Sequence, residues 1–322
     1  MKNLFVSITR QNTGILAALS SAVFLGFLPV FGRWAILDGF SPLAVVTLRT
    51  CMASAILLVI IAIVRPSFLY IFPLGLVGCV LAGIINGLGS LLYYLALGDL
   101  PASLGQLLYA IYPLLVALFS VLDKQSLSRL TVIRIALAAA AVLLLTIGSG
   151  RVSASWPAIL MMIGAAALYA LHIPINQRVL YEIPAPTVTI YTLLAMSLVT
   201  LPFYLLFDRQ WPAPHVSWWP VIGLTIVTFI SRLTLFLGVK NIGGIQTAIL
   251  GLGELFITIM LSYYFLHEAL TFLQILGAII LAISLLLIAL EKQDPNKKRP
   301  KGGWLSWIRP PEASSVPWSL HE

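Results

Sequence analysis

Ten apolar stretches, each long enough to cross a bilayer, run from Gly14 to Leu290 and fall into two sets of five. A spanning helix needs about 20 predominantly apolar residues. The first set is Gly14–Trp34, Pro42–Val64, Phe72–Leu97, Ala102–Leu122 and Ser128–Ile147. The second is Trp156–Val179, Pro186–Phe207, Trp218–Val239, Ile245–Phe265 and Thr271–Leu290. With 60% hydrophobic and 9% charged residues and a mean hydropathy of +1.01, the chain lacks the polar surface a soluble domain needs. The expected fold class is an all-α integral membrane protein of ten transmembrane helices. Turn-forming breaks separate the spans, among them Asp38-Gly39 with Ser41-Pro42, Arg65-Pro66 and Asp99-Leu100-Pro101.

The net charge of +8 does not point to nucleic acid, because Lys and Arg gather at span ends and in the C-terminal tail. Strict alternation of ten crossings puts both ends on one side. That side carries 14 of the 19 Lys and Arg residues, while the other carries three: Arg33, Arg151 and Arg209. The positive-inside rule makes the richer side cytoplasmic, so both termini are expected there, in a bacterial inner membrane. Trp156, Trp211, Trp218 and Trp219 then fall near the outer interface, where indoles prefer to sit. The tail segment Lys297-Lys298-Arg299-Pro300-Lys301, followed by Trp304 and Trp307, reads as an anchor on anionic lipid. Cys51 and Cys79 sit inside apolar spans as small core residues, and no His, Cys and acid cluster has metal-ligand spacing. No nucleotide-binding motif is present, and no cofactor or catalytic residue is expected.

The halves look related. Pro29 and Arg33 match Pro174 and Arg178 at a shift of 145 residues, Leu95–Pro101 matches Leu237–Gly243 at 142, and Leu127-Ser128 matches Leu270-Thr271 at 143. A repeat with an odd number of crossings re-enters from the opposite face, which gives two inverted five-helix repeats. The organisation is therefore 1–13, a cytoplasmic segment; 14–147 and 156–290, the repeats; and 291–322, a basic tail whose Pro and Ser content predicts disorder. Inverted repeats serve alternating access, with the substrate site near mid-depth at the repeat interface.

Ionisable groups at bilayer depth mark candidate sites, since each costs about 2.5–3.5 kcal/mol on insertion scales. Arg49, Arg232 and Glu254 lie well inside spans, whereas Arg134 is close enough to an end to snorkel. Glu254 falls on a small and polar stripe with Thr247, Gly251, Thr258 and Ser262. Similar faces carry Asn86 and Tyr93 in the third span, Gln106 and Tyr109 in the fourth, and Arg232 in the eighth. Small residues alone would serve close helix packing. The stripes bearing Glu, Arg, Asn or Gln point instead to a central cavity. Glu254 and Arg232 either pair and hold the eighth and ninth spans together, or meet a charged substrate or a proton. Arg49 reads as an anchor bonded to backbone carbonyls. Pro29 and Pro174 interrupt equivalent spans and free the carbonyls of Leu25 and Ala170. Tyr169, His172 and Asn176 share one face near Pro174, where His172 is either a satisfied core group or part of the polar lining of a gate.

The segment Ala248–Leu290, with Leu-Gly-Leu-Gly-Glu-Leu-Phe and then Leu-His-Glu-Ala-Leu-Thr-Phe-Leu-Gln-Ile-Leu-Gly-Ala, resembles the end of a repeat in ten-helix EamA-type exporters of the drug/metabolite transporter superfamily. Pro42 with Arg49 resembles the second-helix pattern, and Tyr112-Pro113 the first-half form of the ninth. Leu255 stands where that pattern has Pro, His267 where it has Gly, and Asp123-Lys124-Gln125 where the first half should carry an acidic cap. The resemblance implies a permease for a small polar or amphipathic organic solute, with export of amino acids or related metabolites first and anionic-metabolite exchange second. A membrane-embedded enzyme acting on lipid head groups is the rival from another class. No His/Asp or Ser/His pair at a helix end supports it.

Overall fold

A computed structural model describes residues 2–122, 155–208, 210–212, 216–251 and 253–289, with scattered positions between 133 and 147. The elements are α1 (Lys2–Leu37), α2 (Pro42–Val64), a 3-10 turn (Pro66–Leu69), α3 (Pro73–Asp99), α4 (Ala102–Tyr109), α5 (Tyr112–Leu122), α6 (Trp156–Leu180), α7 (Ala185–Phe207), α8 (Trp219–Ile242), α9 (Gly244–Leu250), α10 (Gly253–Leu266) and α11 (Phe272–Ala289). Most of the span Ser128–Ile147, Arg134, Arg151, Arg209 and the basic tail lie outside the described residues.

The starts of several helices are written locally. Ser41 and Ser155 accept hydrogen bonds from the N–H groups of Ala44 and Ala158, at 3.1 and 3.3 Å, and Pro follows in the first turn. Their outer faces stay apolar: Ile63 is 77% exposed, Leu198 73% and Phe272 79%. Water would penalise that surface, whereas hydrocarbon does not. Among the described residues seven helical stretches are long and apolar enough to cross a membrane, one of them counted across a break.

Among the described residues, that break is one of two departures from the uninterrupted spans expected from sequence. The fourth span divides at Ala110 and Ile111 into α4 and α5, and the ninth divides around Gly251 into α9 and α10. Pro113 has no N–H to return to the carbonyl of Tyr109, which removes a helical bond at the first break. Gly251 and Gly253, poor helix formers, flank the second.

Packing follows the duplication. The most extensive contacts are α1 with α8 and α3 with α6, which are spans one and eight and spans three and six. Exchanging the halves turns one pair into the other. The same exchange relates α1 with α10 to α6 with α5, and maps the α2–α7 pair onto itself. Small residues let the backbones close in: Gly83 has room only for hydrogen, since an added Cβ would collide with the Ala195 Cβ. Ser21 donates to the Ser231 carbonyl at 3.1 Å, and Thr47 to that of Thr200 at 3.0 Å.

Contacts between span ends fall into two sets. One joins Asp99 with Ser155, Glu268 with Ala102 and Ser103, Arg33 with the Leu97 and Gly98 carbonyls, and Phe40 with Trp218. The other joins Thr187 and Tyr191 with the Phe68 and Leu69 carbonyls, and Gln177 with Gly244. The two sets coincide with the two sides that strict alternation of crossings assigns.

Candidate functional site

The two broken helices meet at the centre of the bundle. Tyr112, opening α5, lies against the second break: a Cβ added at Gly251 would come within 2.5 Å of its hydroxyl. Tyr112 and Gln106 flank the carboxyl of Glu254, which sits in the first turn of α10. A negative side chain is favoured there by the helix dipole and the unpaired first-turn N–H groups.

Beside this crossing is a cavity of about 40 Å³, enough for a few waters. Arg49 comes to it from α2, Tyr93 and Tyr94 from α3, Gln106 and Tyr109 from α4, Tyr169 from α6, Arg232 from α8 and Glu254 from α10. On the α1 side Leu25, Leu28 and Pro29 complete the wall. Tyr93, Tyr109 and Tyr169 line it, and their rings continue to Tyr112 behind. Tyr93 meets Tyr109 edge-on at 5.0 Å, Tyr109 meets Tyr169 at 5.3 Å, and Tyr169 meets Tyr112 edge-on at 4.9 Å.

The charged groups are held differently. Arg49 donates to the hydroxyls of Thr228 and Ser90, at 3.2 Å each, and lies over the Tyr94 ring at 4.7 Å. Its partners are hydroxyls and a ring, not the backbone carbonyls expected from sequence. Arg232 lies over Tyr169 at 5.3 Å and 3.4 Å from the Nε2 of His172. With the Asn86 amide oriented carbonyl-first, that oxygen accepts from both terminal guanidinium nitrogens, at 3.0 and 3.1 Å. His172 in turn sets its Nδ1 on the Tyr169 carbonyl. Glu254 and Arg232 form no ion pair within 4.0 Å, so direct pairing does not hold the two spans together.

Of the residues singled out from sequence, Tyr93, Gln106, Tyr109, Arg232, Glu254, Arg49 and Pro29 are brought to one cavity. Asn86 and His172 stand behind it as supports of Arg232. The others lie elsewhere. Asn176 receives Thr192 at 3.5 Å. Thr258 donates to the Gly26 carbonyl at 2.8 Å and so joins α10 to α1. Gly251 is spent on the helix crossing. The stripe from Thr247 to Ser262 is buried throughout, but the break divides it, and of its members only Glu254 lines the cavity. Pro174 sits inside a continuous α6. Tyr169, from the face beside Pro174, also lines the cavity, whereas the sequence reading does not single out Tyr94 and Ser90. Ser90 and Tyr94 continue the Asn86 face at i+4 and i+8, a signal that was present.

Four lining residues carry a buried polar atom with no hydrogen-bond partner: Nε of Arg49, the hydroxyls of Tyr94 and Tyr169, and one carboxyl oxygen of Glu254. Buried polar groups are normally satisfied, so such a concentration at one cavity is a ligand-binding signal.

The profile of the EamA-like transporter family matches residues 12–147 and again 156–290. The chain belongs to that family. It is an integral membrane transporter of the drug/metabolite type, built from two EamA repeats. A solved crystal structure, one of 27 similar chains, matches over 87% of this chain and 97% of its own with a TM-score of 0.65. At 18% identity the likeness concerns the fold alone. No curated protein matches the chain.

Proposed function

We propose that this EamA-like transporter exports a small polar or amphipathic organic solute, such as an amino acid or related metabolite, by alternating access around the cavity between the broken helices. The observation that carries the reading is the set of four unpartnered buried polar atoms on residues that line one cavity. A cavity of about 40 Å³ is too small for such a solute, so in this proposal binding widens the lining. The exchange-related contacts and the two sets of span-end contacts support inverted repeats. Both termini are cytoplasmic in this proposal, in a bacterial inner membrane, on the strength of the Lys and Arg distribution.

The test is uptake by the purified chain in sealed vesicles, against a panel of amino acids and carboxylates. Arg232→Met leaves Asn86 and His172 without their cation and should lower uptake about tenfold or more. Vesicles that move none of the panel, or a solute recovered chemically altered, would sink the transport proposal. Anionic-metabolite exchange is the second reading, favoured by two guanidinium groups against one carboxyl at the cavity. It requires uptake to depend on a carboxylate preloaded on the opposite side.

A further inference from the structure

We infer that the Glu268 carboxylate is a latch: it holds the cavity shut at the end bearing Arg33, and its release lets α4 swing away. The inference rests on the transport reading above and adds which side chain keeps one end closed. Glu268 lies in the turn between α10 and α11, in the second repeat. It reaches across to the first repeat and caps the start of α4. One carboxylate oxygen accepts from the Ala102 N–H at 2.8 Å, the other from the N–H and hydroxyl of Ser103 at 2.9 and 2.8 Å. First-turn N–H groups have no partner inside their own helix, so these bonds must come from outside it, and a charged acceptor makes them strong.

The α4 segment is built to move as one piece. It is 8 residues long, bounded by Leu100-Pro101 at its start and by the break at Ala110 and Ile111 at its end. Pro101 has no N–H to donate, and Pro113 leaves the Tyr109 carbonyl without its helical bond, so neither joint carries a full ladder. Gln106 is one turn beyond Ser103, and Tyr109 one turn beyond that; both line the cavity. Moving the α4 start away from Glu268 therefore carries two lining side chains with it.

The charges around Glu268 favour the closed arrangement. Arg33, from α1, donates to the Leu97 and Gly98 carbonyls at the end of α3, at 2.8 and 2.6 Å, and both Glu268 and Asp99 are near enough to attract its charge. The α3–α4 turn is held from both sides, by a cation on the carbonyls that finish α3 and an anion on the N–H groups that begin α4. Trp34, next to Arg33, stacks on Phe265 at 6.2 Å and closes α1 on α10 at the same end. The α9 start is held differently. Its Gly244 N–H meets the neutral amide of Gln177, which belongs to the same repeat. A bond within one repeat does not resist the separation of the two, whereas the Glu268 bonds do.

The experiment uses the full chain with Cys51→Ala and Cys79→Ala, and with Leu28→Cys as reporter, since Leu28 lines the cavity. The rate at which a membrane-impermeant methanethiosulfonate modifies the reporter is measured in sealed vesicles of each orientation. Ala269→Cys, exposed in the same turn as Glu268, identifies the side in a parallel sample. With Glu268→Ala the reporter should react about tenfold faster from the Ala269 side and no faster from the opposite side. Gln177→Ala should leave the rate from the Ala269 side unchanged. If Glu268→Ala does not fold, Glu268→Gln decides, with a rise of about threefold from the lost charge. An unchanged rate in the folded Glu268 variant, an equal rise from both sides, or the same rise in Gln177→Ala overturns the inference. Uptake by wild-type vesicles is measured in parallel. Uptake without the side-specific rise removes this inference and spares the transport reading. The side-specific rise without uptake of any solute removes the transport reading and leaves Glu268 as the closure of the cavity.

Discussion

The α4–α5 and α9–α10 helices are the same device built twice with different chemistry. Both interrupt a span near its middle, and Tyr112-Pro113 and Glu254-Leu255 occupy equivalent places, 142 residues apart. The first copy breaks because Pro113 withholds a donor; the second lacks that Pro and breaks between glycines. After the break the first copy offers a phenol, the second a carboxyl, and the two face each other. Their outer anchors differ as well. The α4 start is held by Glu268, whose carboxylate accepts from the Ala102 N–H at 2.8 Å and from the N–H and hydroxyl of Ser103 at 2.9 and 2.8 Å. The α9 start has a single neutral bond, from the Gly244 N–H to Gln177 at 3.2 Å. Duplication supplied a symmetric frame, and the ionisable group was placed in one copy only.

The largest expected effect comes from forcing the two breaks apart. Gly251→Leu places carbon where the Tyr112 hydroxyl and the Ala248 carbonyl already stand, at 2.5 and 3.1 Å from the new Cβ. Vesicle uptake should fall about 100-fold, a loss of about 2.7 kcal/mol in transition-state terms, with folded protein still in the membrane. Adding Tyr112→Ala should restore part of it by reopening the crossing. Thr258→Leu, on the same sequence stripe, should instead lower folded yield, because it breaks the bond to the Gly26 carbonyl. Full uptake by Gly251→Leu would mean that the breaks do not need to meet.

Much of this was legible before any coordinates. Hydropathy pointed to the all-α membrane class and to the seven long apolar helices of the described residues, and Pro29 with Pro174 pointed to the repeat. Buried charge pointed to Arg49, Arg232 and Glu254, because charge at bilayer depth has few innocent explanations. The breaks were less legible. An apolar run has the same composition whether or not its backbone is interrupted, and Gly251 read as one more small residue on a stripe. The partners of Arg49 were also out of reach: nothing local to Thr228 or Ser90 says that a guanidinium from another span ends there. Thr258 shows the opposite failure, since a polar residue on a cavity-like face was satisfied by a neighbouring backbone carbonyl.

The outer anchors allow a finer comparison. Glu268→Ala removes three bonds, two of them to first-turn N–H groups of α4, and should cost about 2 kcal/mol. Gln177→Ala removes one neutral bond to α9 and should cost about 1 kcal/mol. Thermal melts of the purified variants should therefore show the larger fall for Glu268→Ala. Equal falls would mean that the charge on the α4 anchor adds nothing.

The smallest expected effect concerns the residue that sets the α4 anchor. His267 precedes Glu268 with a φ of 54°, in the left-handed region where a Cβ crowds its own backbone. The chain turns back sharply there, and the Glu268 N–H closes on the Ser262 carbonyl at 3.2 Å, which aims the carboxylate at α4. The resemblance to EamA-type exporters expects Gly at this place, and the backbone explains why. His267 is exposed, so replacing it sacrifices little packing. His267→Gly should raise stability by about 1 kcal/mol, about 2–4 °C in a melt, because it relieves the left-handed conformation. His267→Ala keeps the Cβ and should give no such gain. If both variants melt together above the wild type, the gain comes from losing the imidazole. The strain at this turn would then not be what distinguishes the α4 anchor from its counterpart at Gln177.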